Sequence, residues 1–150
     1  MSHGAPAPLF VDTGGFYAAY VEDDVNHVRA NAVFDAIWSG ERYGPVFTSQ
    51  YVLAELATVI FYRKGHHHAV TTLEEIRESK TITVLPVSTP LFEVAYDQFL
   101  RYDDQKIAFF DHLGAAVARE YEIDHVFTFD PDDFRTLGIT VVPDDTDLAC

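Results

Sequence analysis

Four acidic residues, Asp12, Glu55, Asp111 and Asp130, stand where a carboxylate can do chemistry. Asp12 and Asp130 each come at the end of a short apolar run, residues 9–11 and 126–129, and sheets built from such runs place ligands beyond the carboxyl ends of their strands. Each also has a simpler use: Asp12 can cap the helix that follows it, and Asp130, before Pro131, can start a turn. Glu55 is more pointed. Val52, Leu56 and Val59 form the apolar stripe of its helix, and Glu55 lies three residues from the first and four from the last. A carboxylate on that inward face must be protonated, paired with a cation or turned to a metal, because burying it ionised and alone is costly. Asp111 opens a helix whose Gly114, Ala115, Ala116 and Ala118 permit close packing; its simpler use is a favourable charge at a helix N-terminus. Carboxylate oxygens are the ligands that hard divalent cations prefer, and for Glu55 a metal stands as one of the three open readings.

The elements that position these residues alternate. A strand at 9–11 ends at Asp12, and Gly14 and Gly15 are expected to form the turn from which a helix starts at about Phe16. A second helix covers about 25–38 and stops near Gly40. A strand at 46–48 follows, and Ser49 can cap a helix from 50 to about 63 that ends before Gly65. A polar helix over about 67–79 leads to a strand at 82–85; Ser88 or Thr89 then caps a helix to about 102 with Pro90 at its first position. Another helix spans about 107–121, and strands at 126–129 and 139–142 bracket a helical turn around 132–137. Five strands interleaved with helices predict an α/β fold, a three-layer sandwich with a mainly parallel five-stranded sheet. No internal repeat, low-complexity tract or linker interrupts residues 1–150, which are expected to form a single domain.

Bulk properties narrow the classes. Hydrophobic residues make up 48% of the chain, enough for one packed core. The only cysteine, Cys150, excludes an intramolecular disulfide and a cysteine-based zinc site, which fits a reducing compartment. Residues 1–8 lack a basic stretch followed by an apolar one, and no apolar run is long enough to span a membrane, so a cytoplasmic location is expected. The net charge of -14 is the feature that sits badly with a nucleic-acid substrate. Adaptation to a very salty cytoplasm, where screening acts within about 3 Å at 1 M salt, or a basic protein partner would account for it.

Taken in order, Phe10-Val-Asp-Thr with Tyr17-Ala18, Val52-Leu-Ala-Glu-Leu, Phe110-Asp-His-Leu-Gly-Ala-Ala-Val-Ala-Arg and Val126-Phe-Thr-Phe-Asp with Phe134 resemble the successive signatures of PIN-domain nucleases. Among these, the chain resembles the toxins of VapBC toxin–antitoxin pairs. The resemblance runs from the first strand to Gly138-Ile139. It implies that Asp12, Glu55, Asp111 and Asp130 form one acidic, metal-binding and catalytic cluster, with Thr13 and Thr128 as polar companions. Three residues, Pro131, Asp132 and Asp133, separate Asp130 from Phe134 where the family more often has two. The fourth carboxylate is therefore Asp130, Asp132 or Asp133, and the strand-end position favours Asp130. The resemblance further implies Mg²⁺ or Mn²⁺ as cofactor, an RNA substrate cut to leave a 5′-phosphate, a homodimer, and a small antitoxin that covers the acidic pocket.

The remaining features carry less. His66, His67 and His68 are consecutive, so on a helix they point in different directions and cannot easily share an ion. His112 beside Asp111 could touch substrate, although a solvent-facing ring is the simpler expectation. Arg29, Arg42, Arg63 and Lys64 could meet phosphates or an antitoxin or be ordinary surface, and Phe109 and Phe110 are expected in the core rather than as stacking platforms for bases. Competing functions are a catalytically idle PIN-like module that only binds protein or RNA, an RNA-processing nuclease without an antitoxin, and a phosphatase with Asp12 as nucleophile. The last usually needs a second acid two residues on, where this chain has Gly14. No glycine-rich dinucleotide fingerprint follows the first strand.

Overall fold

The computed structural model describes residues 5–103 and 106–146. Cys150 and the first four residues of the N-terminal stretch lie outside them. The elements run β1 (Ala7–Val11), α1 (Thr13–Tyr20), α2 (His27–Ser39), β2 (Tyr43–Ser49), α3 (Gln50–Lys64), α4 (His66–Glu78), β3 (Ile82–Leu85), α5 (Thr89–Arg101), α6 (Phe109–Glu120), β4 (His125–Phe127), α7 (Pro131–Thr136) and β5 (Thr140–Val142). The five strands form one sheet in the order β3-β2-β1-β4-β5. Every pairing is parallel, with Phe10 opposite both Phe47 and Val126, Val11 opposite Phe127, and Val46 opposite Ile82. The expected mainly parallel sheet is thus entirely parallel. From β1 the chain winds outward through β2 and β3 on one side and returns to place β4 and β5 on the other. The crevice at such a reversal is where doubly wound sheets bind ligands, and Asp12 leaves β1 there.

Both faces are covered. Phe34 of α2 meets Phe127 of β4 edge-on at 5.7 Å, so α1 and α2 lie on the face that Phe127 presents. Phe10 points to the other face, toward Gly114 of α6. Phe47, its neighbour across the ladder, stacks at 6.3 Å on Tyr121 at the end of that helix. Alternation along each strand sends successive side chains to opposite layers, and a strand buried on both sides reads as an unbroken apolar run. Leu9, Phe10 and Val11 are all fully buried.

Local signals set most boundaries. The Ser49 hydroxyl accepts from the Val52 N–H to start α3, and Ser88 does the same for Leu91 in α5. Because Ser88 is the cap, Pro90 is the second residue of α5 rather than the first. Gly40 ends α2 in the left-handed conformation at φ 72°. The first helix departs from expectation: it begins at Thr13, and Gly14 and Gly15 lie inside its first turn. Their role is proximity rather than turning. A Cβ on Gly15 would stand 2.8 Å from the Phe127 carbonyl oxygen, so only glycine lets α1 approach β4 this closely. The stripe of α3 is Val52, Leu56 and Ile60, which are buried, while Val59 and Glu55 sit at its margin.

Candidate active site

Asp12 follows the last residue of β1 and has 7% of its surface exposed. Its backbone N–H donates to the Phe127 carbonyl at 3.0 Å, and the buried Thr48 hydroxyl donates to the Val11 carbonyl at 2.9 Å, so both neighbouring strands hold this corner. The Asp12 side chain does not cap α1. It accepts instead from the hydroxyl of Thr128, a fully buried residue just past β4, at 3.2 Å. The same Thr128 oxygen accepts from the backbone N–H of Asp130 at 3.2 Å. One hydroxyl thereby links the acids that follow β1 and β4.

Glu55 reaches the corner from α3. The Thr13 hydroxyl, in the first turn of α1, donates to its carboxylate. The partner of this half-buried acid is therefore a hydroxyl at the site, and its charge bears on Asp12. Asp111 arrives in the first turn of α6, with 9% of its surface exposed. A Cβ on Gly114, one turn on, would stand 3.4 Å from the Phe134 ring and 3.6 Å from Phe10, so the glycine seats α6 close to the sheet. The small residues that follow Asp111 are buried as expected.

The fourth position is shared. Asp111, Asp130 and Asp133 each present a carboxylate oxygen, and these atoms lie within 4.8 Å of one another. Asp132 turns away, 91% exposed and 3.7 Å from Arg135. Asp130 and Asp133 stand at the start of α7 at a separation of three residues, the helical spacing that puts two side chains on one face. That spacing was the available signal for Asp133. Neither Asp130 nor Asp12 spends its side chain on helix capping.

The electrostatics follow from burial among like charges. Burial pushes the Asp12 carboxyl up to about 7, aided by Glu55 and Asp130 and opposed by hydrogen bonds from the Thr13 backbone and Thr128. Asp111 is driven far above the usual carboxylate range by burial, by its hydrogen bond with Asp133, and by the charges of Asp12, Asp133 and Asp130. Asp130 is raised by burial and then by Asp133 and Asp132. Every charged group acting on these three carboxyls is another carboxylate. A site of this kind lacks a counter-charge, and its donor set of oxygens alone suits a hard divalent cation. The residues present therefore fit a divalent metal of the Mg²⁺ or Mn²⁺ class.

The histidines play other parts. His112 is not solvent-facing: it is fully buried, packed 5.9 Å from Phe99 and 5.4 Å from Tyr102, and among the described residues neither ring nitrogen has a hydrogen-bond partner. It follows Asp111 in a helix whose residues 111–118 are all buried, so adjacency to an acid at the site did not bring exposure. In the triplet, His66 meets Phe61 edge-on and His68 Nε2 lies 2.7 Å from the Tyr20 carbonyl oxygen. Among the described residues no histidine joins a metal-ligand cluster. Arg29 pairs with Asp144 and Lys64 with Asp23, each at 2.6 Å, while Arg63 lies over the Tyr17 ring. Phe109 is half-buried and Phe110 is 40% exposed, so neither belongs to the interior proper.

Comparison with known proteins agrees with this geometry. The sequence profile of the PIN domain matches residues 9–139. The 23S rRNA-specific endonuclease VapC20 of Mycobacterium tuberculosis is 32% identical over 134 residues, covering 89% of this chain and 97% of that protein. The crystal structure of VapC20, described as a Sarcin-Ricin loop cleaving toxin, superposes with a TM-score of 0.79 at 31% identity, over 88% of this chain and 96% of that one. VapBC2 from Rickettsia felis, bound to a promoter DNA fragment, shares the fold at a TM-score of 0.66 and 14% identity, over 89% of this chain and 96% of that one.

Proposed function

This chain belongs to the PIN-domain family, and from that premise we propose that it is a divalent-metal-dependent endoribonuclease acting as the toxin of a toxin–antitoxin pair. The observation that carries the mechanism is the meeting of Asp111, Asp130 and Asp133, whose carboxylate oxygens lie within 4.8 Å of one another, with Asp12 linked to Asp130 through Thr128 and Glu55 held beside them by Thr13. Asp12 is the central ligand, because it is buried, uncapped and within electrostatic reach of Glu55, Asp130 and Asp111. Asp111, Asp130 and Asp133 complete the shell. Glu55, oriented by Thr13, lies at its margin, where it can hold the proton of an attacking water. Held by these carboxylates, a Mg²⁺ or Mn²⁺ ion would acidify a water and offset the charge gathering on the phosphate oxygens. What the protein adds is position: Thr128 aligns Asp12 with the Asp130 backbone, and burial removes competing water from the inner acids.

The additional residue between Asp130 and Phe134 does not favour an idle binding module. It places Asp133, at the end of the first turn of α7, beside Asp111 while Phe134 stays fully buried, so the cluster gains a carboxylate rather than losing one. For the substrate we take ribosomal RNA as the first candidate, on the strength of the 23S rRNA specificity named for VapC20. An antitoxin partner with a basic segment suits a chain of charge -14 and an acidic pocket. The toxin is further proposed to be a single domain that acts in the cytoplasm as a homodimer. Among the described residues no helix is long and apolar enough to cross a membrane.

The test is cleavage of intact ribosomes and of a mixed RNA panel by antitoxin-free protein at low and high salt, with Mg²⁺, Mn²⁺ or EDTA. Asp12→Asn and Glu55→Gln serve as controls. Cutting that needs a divalent ion and disappears in both folded variants is the expected result. Folded wild-type protein that neither cuts RNA under any condition nor binds metal calorimetrically would overturn the reading.

A further inference from the structure

A row of three aromatic rings stands in the first turns of three helices, two of which carry acids of the site. Tyr51 lies in the first turn of α3, Phe92 in the first turn of α5 and Phe109 at the first position of α6. Ring centroids are 6.1 Å apart from Tyr51 to Phe92 and 5.4 Å from Phe92 to Phe109, and each ring stays partly in solvent. Tyr51 precedes Glu55 by one helical turn, about 6 Å along the axis, and Phe109 precedes Asp111 by two residues. The row therefore runs from the helix that carries one catalytic acid to the helix that carries another.

Binding RNA is a physical problem for this chain. Its net charge is -14, and Arg29, Lys64 and Arg135 are already held by carboxylates. Phosphate neutralisation by side chains, the ordinary source of affinity, is correspondingly weak here. Stacking of unpaired bases on flat rings needs no positive charge and tolerates any base sequence, because every base has a π-face. We propose that Tyr51, Phe92 and Phe109 form a stacking platform for unpaired bases flanking the cut phosphate, and so select single-stranded or looped RNA. This inference rests on the nuclease reading above. A protein partner would find a broader seat further along α5, where Val94 and Leu100 are 47% and 56% exposed; the three rings are distinguished by their place in the first turns of α3, α5 and α6, of which α3 carries Glu55 and α6 carries Asp111.

The experiment compares wild-type protein with Tyr51→Leu and Phe92→Leu, which keep apolar bulk and lose the flat ring, and with Phe92→Tyr, which keeps it. KM and kcat are measured on a short single-stranded RNA and on the same RNA with abasic sugars beside the cut, at low and high salt. Binding is read separately by fluorescence anisotropy in a Glu55→Gln background, and oligomeric state by sedimentation. Stacking predicts that each leucine variant raises KM at least about fivefold with kcat little changed. It also predicts that the wild-type preference for intact over abasic RNA disappears in these variants, that Phe92→Tyr restores it, and that salt leaves it standing. Equal handling of intact and abasic RNA by wild-type protein would overturn the platform while leaving the nuclease intact. So would leucine variants that dissociate or aggregate differently yet bind RNA as wild type does, which would make the row a protein interface. Failure of wild-type protein to cut or bind any RNA removes the nuclease reading and the platform with it.

Discussion

The hydroxyl of Thr13 donates a hydrogen bond to the carboxylate of Glu55, a residue 42 positions later in the chain. The contact ties the first turn of α1 to the second turn of α3 and sets the direction of an acid at the edge of the site. Thr13→Val is expected to lower kcat by about tenfold or more with a smaller effect on KM, because it frees Glu55 to rotate without removing it. Thr13→Ser should retain most activity. Steady-state kinetics on a defined RNA decide it, and equal kcat for the valine variant would show that Glu55 needs no orienting partner.

Asp133 and Asp132 are neighbours with opposite surroundings, one beside Asp111 and the other in solvent near Arg135. Asp133→Asn should weaken Mn²⁺ binding by roughly 10–100-fold in calorimetry. Asp132→Asn should change it by less than about threefold, as expected for an exposed charge. The reverse order would place the wrong acid in the cluster.

Stability of the metal-free protein should fall as pH rises. Asp12 is pushed up to about 7 and Asp111 higher still, both from an ordinary value of 3.8. Between 3.8 and these raised values the folded state holds protons that the unfolded chain has released, so raising the pH favours unfolding. The added stability is present near pH 4 and is lost through pH 7 and beyond. Thermal melts in EDTA should therefore show Tm decreasing from pH 5 to pH 8. Asp12→Asn should raise Tm at pH 8, by roughly 2–4 °C for each kcal/mol recovered, and flatten the slope. Added Mn²⁺ should do likewise for wild type, since it binds only the assembled site. A Tm that climbs over this range would contradict the charge crowding described here.

His112 carries two buried ring nitrogens that find no partner among the described residues. Leaving polar atoms unsatisfied in the interior costs about 1–3 kcal/mol, so an apolar ring of similar shape should fit better. His112→Phe is expected to stabilise the protein in urea unfolding by about 1 kcal/mol, against a small overpacking cost. Loss of stability in that variant would mean that the imidazole meets a polar group in solution.

Much of this molecule was legible before any coordinate was known. The 9–11 run announces a strand because a strand buried on both faces reads as apolar throughout, whereas 82–85, at the sheet edge, alternates buried Ile82 with exposed Thr83. Ser49, Ser88 and Gly40 mark helix ends because unpaired backbone groups there need a cap or a left-handed turn. Asp12 stood out for the same kind of reason, as a charged residue directly after an apolar strand.

Tertiary structure decided what pattern could not. Gly14 and Gly15 look like a turn, yet they are the contact surface of α1 against β4, and only the position of Phe127 in space reveals it. His112 looks exposed beside a site acid until α5 is seen to cover it. Which of Asp130, Asp132 and Asp133 comes near Asp111 depends on which face of α7 meets α6: Asp130 and Asp133 bring a carboxylate oxygen within 4.8 Å of it, and Asp132 turns to solvent. Periodicity records which residues share a face of their own element. Which faces then meet depends on packing between segments distant in sequence, and the charge state of the acids depends on that meeting too.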